Sequence, residues 1–171
     1  MKLKHLFPLI ALLTGVFSLA ACGGDDELAP QDQGQGRESN TEVVGTYEGW
    51  THLTTAFINK NYSGDTFTLA LADDGTLTAT FTDATWGTAT ITGIQASKIK
   101  TGEGYALEDG EGSFVMNNPR QGGTQEFACK LESGTLSADK TQLTVVISAY
   151  MEVGHGDMTF TFQTGEIPAE D

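Results

Sequence analysis

Apolar and polar residues alternate one for one through most of the chain after Val43, and that period of two decides what the chain can fold into. Phe67, Leu69 and Leu71 interleave with Thr66, Thr68 and Ala70; beyond Asp73-Asp74-Gly75, Leu77, Ala79 and Phe81 interleave with Thr78, Thr80 and Thr82. The pattern returns at Leu143, Val145, Ile147 and Ala149, and again at Phe160 and Phe162. Successive side chains of a strand point to opposite faces, so these runs describe strands with one buried face and one solvated, threonine-rich face. No stretch after Cys22 carries a helical period of useful length. Predicted strands lie near 43–52, 65–72, 75–82, 86–95, 104–108, 112–117, 124–132, 142–150 and 158–163. Short turns containing Gly, Asp or Asn join them, which predicts an all-β antiparallel meander. Such a meander hides its edges by closing into a barrel or by folding into a sandwich. A closed antiparallel barrel needs an even strand number, so one of the nine segments is split or merged. The place to look is between Ile94 and Asn118, where the alternation is poor.

The N-terminus is of another kind. Lys2 and Lys4 precede an apolar run from Leu6 to Leu19, which ends in Leu19-Ala20-Ala21-Cys22. The run is too short and too abruptly ended for a spanning helix and has the layout of a cleaved secretory signal over residues 1–21. Its end resembles the bacterial lipobox, which places signal cleavage between Ala21 and Cys22 and acylates the cysteine. Cys22 is then the lipidation site, and several acyl chains hold a bilayer well because each buried CH₂ contributes about 0.8 kcal/mol. The acids Asp25-Asp26-Glu27 resemble the tag that exports some Gram-negative lipoproteins to the cell surface, or serve as a solvated spacer. Residues 22–41, with Pro30, Gln31, Gln33, Gly34, Gln35 and Gly36, read as a lipidated flexible tether. The β domain then spans 42–168.

Loss of the leader would remove Lys2 and Lys4 and no acid, leaving seven basic residues against 23 acidic ones. So acidic a surface repels phosphate backbones, and nucleic acid is not an expected partner. Cys129 is the one other cysteine. It shares the apolar face of its segment with Phe127 and Leu131, as a buried, inert thiol would.

Asp73-Asp74-Gly75 and Glu108-Asp109-Gly110-Glu111 suit tight turns and lack the spacing of a calcium loop. No Gly-x-Ser-x-Gly elbow, phosphate-cradling loop or His-Glu-x-x-His is present. The sequence offers no nucleophile–base pair, so an enzyme is not expected, and no cofactor is implied. Antiparallel pairing of the first and last strands would bring His52 near His155 and Asp157 at one rim. These are weak metal candidates, and the expectation is neighbouring rims without a metal. Trp50, Trp86 and Tyr150 fall off the inner face and belong to a rim, an outer patch or ordinary surface packing.

Val44-Gly45-Thr46-Tyr47-Glu48-Gly49, the Gly87–Ile94 segment and the run from Leu131 to Gly165 resemble a group of Gram-negative lipoproteins with a calycin-like domain. The resemblance implies a lipocalin-like barrel of about eight to ten strands and no established chemistry. Tyr47 stands where lipocalins carry the tryptophan of G-x-W, and no arginine lies near Phe160 or Phe162 to cross over it. The interior of such a barrel, filled or holding one small ligand, falls to Tyr47, Phe67, Leu69, Leu77, Phe81 and Phe114. Phe127, Leu143, Val145, Ile147, Phe160 and Phe162 complete it. The expected function is a lipid-anchored extracytoplasmic binding protein of the cell envelope, at the outer membrane with or without exposure at the cell surface, for a small apolar or amphipathic ligand or a surface partner. The alternative is a structural or interaction lipoprotein with a filled barrel and no ligand. In either case Cys22→Ala is expected to abolish fatty-acid labelling in vivo; equal label on wild type and variant would remove the anchor.

Overall fold

The computed structural model describes residues 33–100, 102–117, 122–151 and 156–169, with side chains from Glu38 onward. Cys22, Ala21 and His155 lie outside the described residues. The chain divides into two units, Met1–Gln31 and Asp32–Asp171, and the second holds the fold described below.

Nine strands follow one short helix: β1 Gly45–Thr54, β2 Asn59–Leu71, β3 Leu77–Asp83, β4 Gly87–Lys98, β5 Gly104–Glu108, β6 Glu111–Asn117, β7 Thr124–Ser137, β8 Leu143–Ala149 and β9 Met158–Thr164. Every pairing is antiparallel, and β1 pairs with both β2 and β9, so the sheet closes on itself. The expected all-β antiparallel meander closing into a barrel is what forms. Nine strands fill eight positions around it. The first half of β4 pairs with β6 and its second half with β5, and β7 does the same from the other side. β5 and β6 are therefore one broken stave, within the region where the alternation fails.

The break has a local cause. Asp109 and Gly110 take φ values of 62° and 101°, outside strand geometry. A Cβ on Gly110 would stand 2.5 Å from Ile94 Cγ1, so glycine alone fits there without displacement. The neighbouring ladder slips at the same level, between Leu131 and Ser133 of β7. Bulges of this kind bend strands and raise curvature, which closure of a small barrel demands. A second irregularity leaves Gly64 of β2 unpaired opposite Gly49 and Trp50 of β1, and its φ of 85° again favours glycine.

Three sequence expectations give way. The flexible tether read over 22–41 holds a helix in its second half, because α1 occupies Gln33–Glu42. The helix has no acid in its first turn and no base in its last, so no end charge complements its dipole. Tertiary bonds do. Asn40, fully buried, donates to the Gly75 carbonyl at 2.8 Å and accepts from the Ala96 amide at 2.6 Å. Glu42 bonds Tyr105 and forms an ion pair with Lys98 at 3.0 Å. These partners belong to the β2–β3 turn, late β4 and early β5, so α1 packs on that end of the barrel. Two strand bounds also move: β2 begins at Asn59 and not near residue 65, because the polar run 59–64 hides its pairing with β1, and β7 runs past 132 to Ser137, because the slip between Leu131 and Ser133 breaks its alternation.

The interior is aromatic. Phe67, Phe81, Phe114, Phe160 and Phe162 have no exposed surface, so none of them touches a space that water could enter. Phe160 lies 4.9 Å from Phe114 and 5.6 Å from Phe81, centroid to centroid, and Phe162 lies 5.7 Å from Phe67. Tilted contacts at such separations suit the ring quadrupoles. Tyr47, Leu69, Leu77, Leu143, Val145 and Ile147 are buried in the same cluster, whereas Phe127 is only partly buried at its edge. Phe160→Ala should therefore cost about 3–5 kcal/mol of unfolding free energy. Phe127→Ala should cost clearly less. Urea unfolding of both variants checks this, and equal losses would contradict the placement of Phe127.

Candidate functional site

The end of the barrel opposite α1 is built from the close of β1, β3, β6 and β8 and the start of β2, β4, β7 and β9. Its apolar residues differ from those elsewhere. Ile58, Tyr62, Trp86, Met116, Phe127 and Met151 pack on the core while staying partly exposed, and all six belong to this end. Phe57, 79% exposed, and Tyr150, 61% exposed, stand in its loops. Tyr62 and Trp86 meet edge to face at 6.0 Å. The α1 end buries Val43, Leu136 and Asn40 completely or nearly so and leaves Val44 and Leu71 half exposed, neither of them packed on the core.

Beneath this apolar rim the inner face turns polar. Asp65 lies in phase with Phe67 and Leu69, and Asp83 in phase with Ala79 and Phe81, so both point inward. Each is 1% exposed. Asp83 Oδ1 accepts from the amides of Thr85 at 2.7 Å and Trp86 at 2.8 Å, which shapes the β3–β4 turn. Its Oδ2, both oxygens of Asp65, Thr51 Oγ1 and the Trp86 indole Nε1 have no formed hydrogen bond. Burial raises the pKa of both carboxyls. The Thr51 hydroxyl partly offsets this at Asp65, and the charge of Asp83 adds to it. The sequence reading passed over Asp65 and Asp83; the signal was their place in the apolar phase of their strands.

The other candidates do not assemble a site. β1 pairs with β9 from Gly49 opposite Thr164 to Thr54 opposite Thr159, so the close of β1 and the start of β9 share one rim. His52 lies opposite Thr161, and its Nδ1 stands 2.6 Å from Asn61 Oδ1. Asp157 is exposed. Among the described residues, no group of three or more His, Cys, Asp and Glu could hold a metal ion. Trp50, off the inner face, is nonetheless only 7% exposed and lines a recess with Gly165, Glu166 and Ile167. Burial pushes the Cys129 thiol up to about 11, which keeps it protonated and unreactive at neutral pH. Asp74 Oδ1 accepts from the amide and hydroxyl of Thr76, as a turn residue does. A recess of about 930 Å³ lies over the broken stave, walled by Gly93, Leu107, Asp109, Gly110, Lys130 and Glu132 among others.

A closed eight-position antiparallel barrel with a helix at one end and an apolar rim at the other defines a calyx-shaped binding scaffold. The chain belongs to the Calycin-like beta-barrel domain family, whose model matches residues 37–165. No curated protein and no solved structure matches it significantly.

The buried acids give a test of the site's electrostatics. Because Asp65 and Asp83 hold protons more tightly folded than unfolded, their contribution to stability falls as pH rises through the interval from the ordinary carboxylate range to the raised values. Asp65→Asn should therefore raise Tm relative to wild type at pH 7–8, and the gain should vanish once pH drops below the ordinary range. A gain that grows on acidification would contradict the placement of a buried, unpaired carboxyl.

Proposed function

We propose that this protein is a lipid-anchored binding protein of the cell envelope that receives an apolar or amphipathic small molecule at the rim opposite α1. One observation carries the reading: the six partly exposed apolar side chains packed on the core all gather at that end, over an otherwise closed interior. Partly exposed apolar side chains gathered at one end of a barrel are what a ligand covers. The fully buried phenylalanines below leave such a ligand the rim and not the depth of the barrel. The same filled interior favours a second reading, an interaction lipoprotein whose rim meets a surface partner without a small ligand. Tethering through Cys22 to the outer membrane, facing outward, accords with either reading. Both are non-enzymatic and independent of nucleic acid.

The rim carries its own reporter. Trp50 and Trp86 are the only tryptophans, so in a Trp50→Phe background the emission reports Trp86. Titration with 1-octanol should shift that emission saturably, and Met116→Glu or Phe127→Glu should remove the shift. A linear response, equal in all three proteins, would favour the interaction reading.

A further inference from the structure

We propose that the rim opposite α1 takes a ligand headed by a primary ammonium group, which the carboxylates of Asp65 and Asp83 hold. This rests on the reading of that rim as a ligand site and names the chemistry of what enters it.

The register brings the two acids together. Thr66 of β2 lies opposite Thr82 of β3, and the next residues outward are Asp65 and Asp83, both turned inward. Like charges facing one another across a ladder repel, and burial without a partner adds a desolvation cost to each. Neither acid has an ion-pair partner among the described residues. The ion pairs among them are Lys98 with Glu42 and Lys130 with Glu132, both elsewhere. Since one oxygen of Asp83 is committed to the β3–β4 turn, three carboxylate oxygens remain without a formed hydrogen bond, with only the Thr51 hydroxyl and the Ala84 amide beside Asp65. A primary ammonium has three N–H donors.

Two groups that are not acids point the same way. Thr51, fully buried on the neighbouring strand, turns its hydroxyl toward Asp65 without a formed hydrogen bond. Trp86, whose amide is bound by Asp83, leaves its indole N–H unpartnered. The indole can only donate, so it serves an oxygen beside the cation and not the cation itself. Buried polar groups in native proteins are almost always paired. Three of these five atoms, the open carboxylate oxygens of Asp65 and Asp83, match the three N–H donors of one ammonium head. The rim also accepts ammonium over its aromatics: Lys60 places its own Nζ 5.6 Å from the Tyr62 ring centroid. A calcium ion fits less well, since it takes roughly six to eight oxygens. Transition metals want histidine or thiolate, and no group of three or more His, Cys, Asp and Glu among the described residues could hold one. The tail of the ligand then lies along Met116, Phe127 and Met151.

The test compares matched eight-carbon probes on the full-length protein by calorimetry at pH 7: 1-octylammonium, 1-octanol and octanoate. Octylammonium should bind at least ten-fold more tightly than octanol, and octanoate should not bind. Asp65→Asn and Asp83→Asn should each lower octylammonium affinity ten-fold or more and leave octanol unchanged. The wild-type protein gives the same information without a variant: octylammonium affinity should fall as pH drops from 7 toward 4, while octanol affinity stays flat. If octanol binds and octylammonium gains nothing over it, the ammonium assignment fails and the apolar rim stands. Calcium binding lost on Asp65→Asn, with no octylammonium preference, would also overturn the assignment. If no probe binds the folded protein, the ligand reading fails and this inference with it.

Discussion

The ladder between the first and last strands is the interaction on which the rest of this structure depends. Six residues of β1, Gly49–Thr54, pair with six of β9, Thr159–Thr164. They lie more than a hundred positions apart, so the contact bears a loop-closure cost that local pairing does not. Without it β1 and β9 would pair on one side only, each exposing an edge open to other chains. With it, inward side chains of strands that are not neighbours meet in one core, as Phe67 of β2 meets Phe162 of β9. Closure also sorts the connections into two sets, one beside α1 and one around the apolar rim.

That sorting gives the molecule its polarity. At one end Asn40 joins the β2–β3 turn to β4, and Glu42 reaches Lys98 and Tyr105, so a helix with little intrinsic stability is held by specific bonds. At the other end no comparable element lies among the described residues, and the apolar side chains stay partly exposed. Just below them the in-phase positions change from phenylalanine to aspartate. A filled aromatic middle fixes the frame, and the rim places apolar contact and buried acceptors within reach of one another. A binding scaffold needs both, since packing alone gives no selectivity and unpaired carboxylates alone destabilise the fold.

Much of this was legible because a period of two is a strong signal when threonine and large apolar residues share it. The strands from Thr66 to Leu71, Leu77 to Phe81 and Leu143 to Ala149 could be placed from that signal alone. The odd strand number even located its own fault, since the Asp109-Gly110 break divides a single stave. What escaped had no local signature. α1 carries an ordinary tether composition and is helical because Asn40 finds partners 35 and 56 residues away. The first half of β2 is polar and pairs only because β1 runs beside it. Asp65 and Asp83 were in view, but polar residues at the ends of alternating runs resemble turn residues until register shows them facing inward. Trp50 was assigned to the outer side correctly by phase, yet the chain after β9 covers it.

The central claim is that function resides at the rim opposite α1, and mapping where a ligand acts tests it most directly. Backbone amide shifts of the full-length protein should be followed as 1-octylamine is added at neutral pH. The account predicts saturable shifts at Thr51, Tyr62, Asp65, the Asp83–Trp86 turn and Met116, with Asn40, Val43 and Tyr105 unmoved. Shifts gathered beside α1, or over the recess at Asp109 and Gly110, would contradict it.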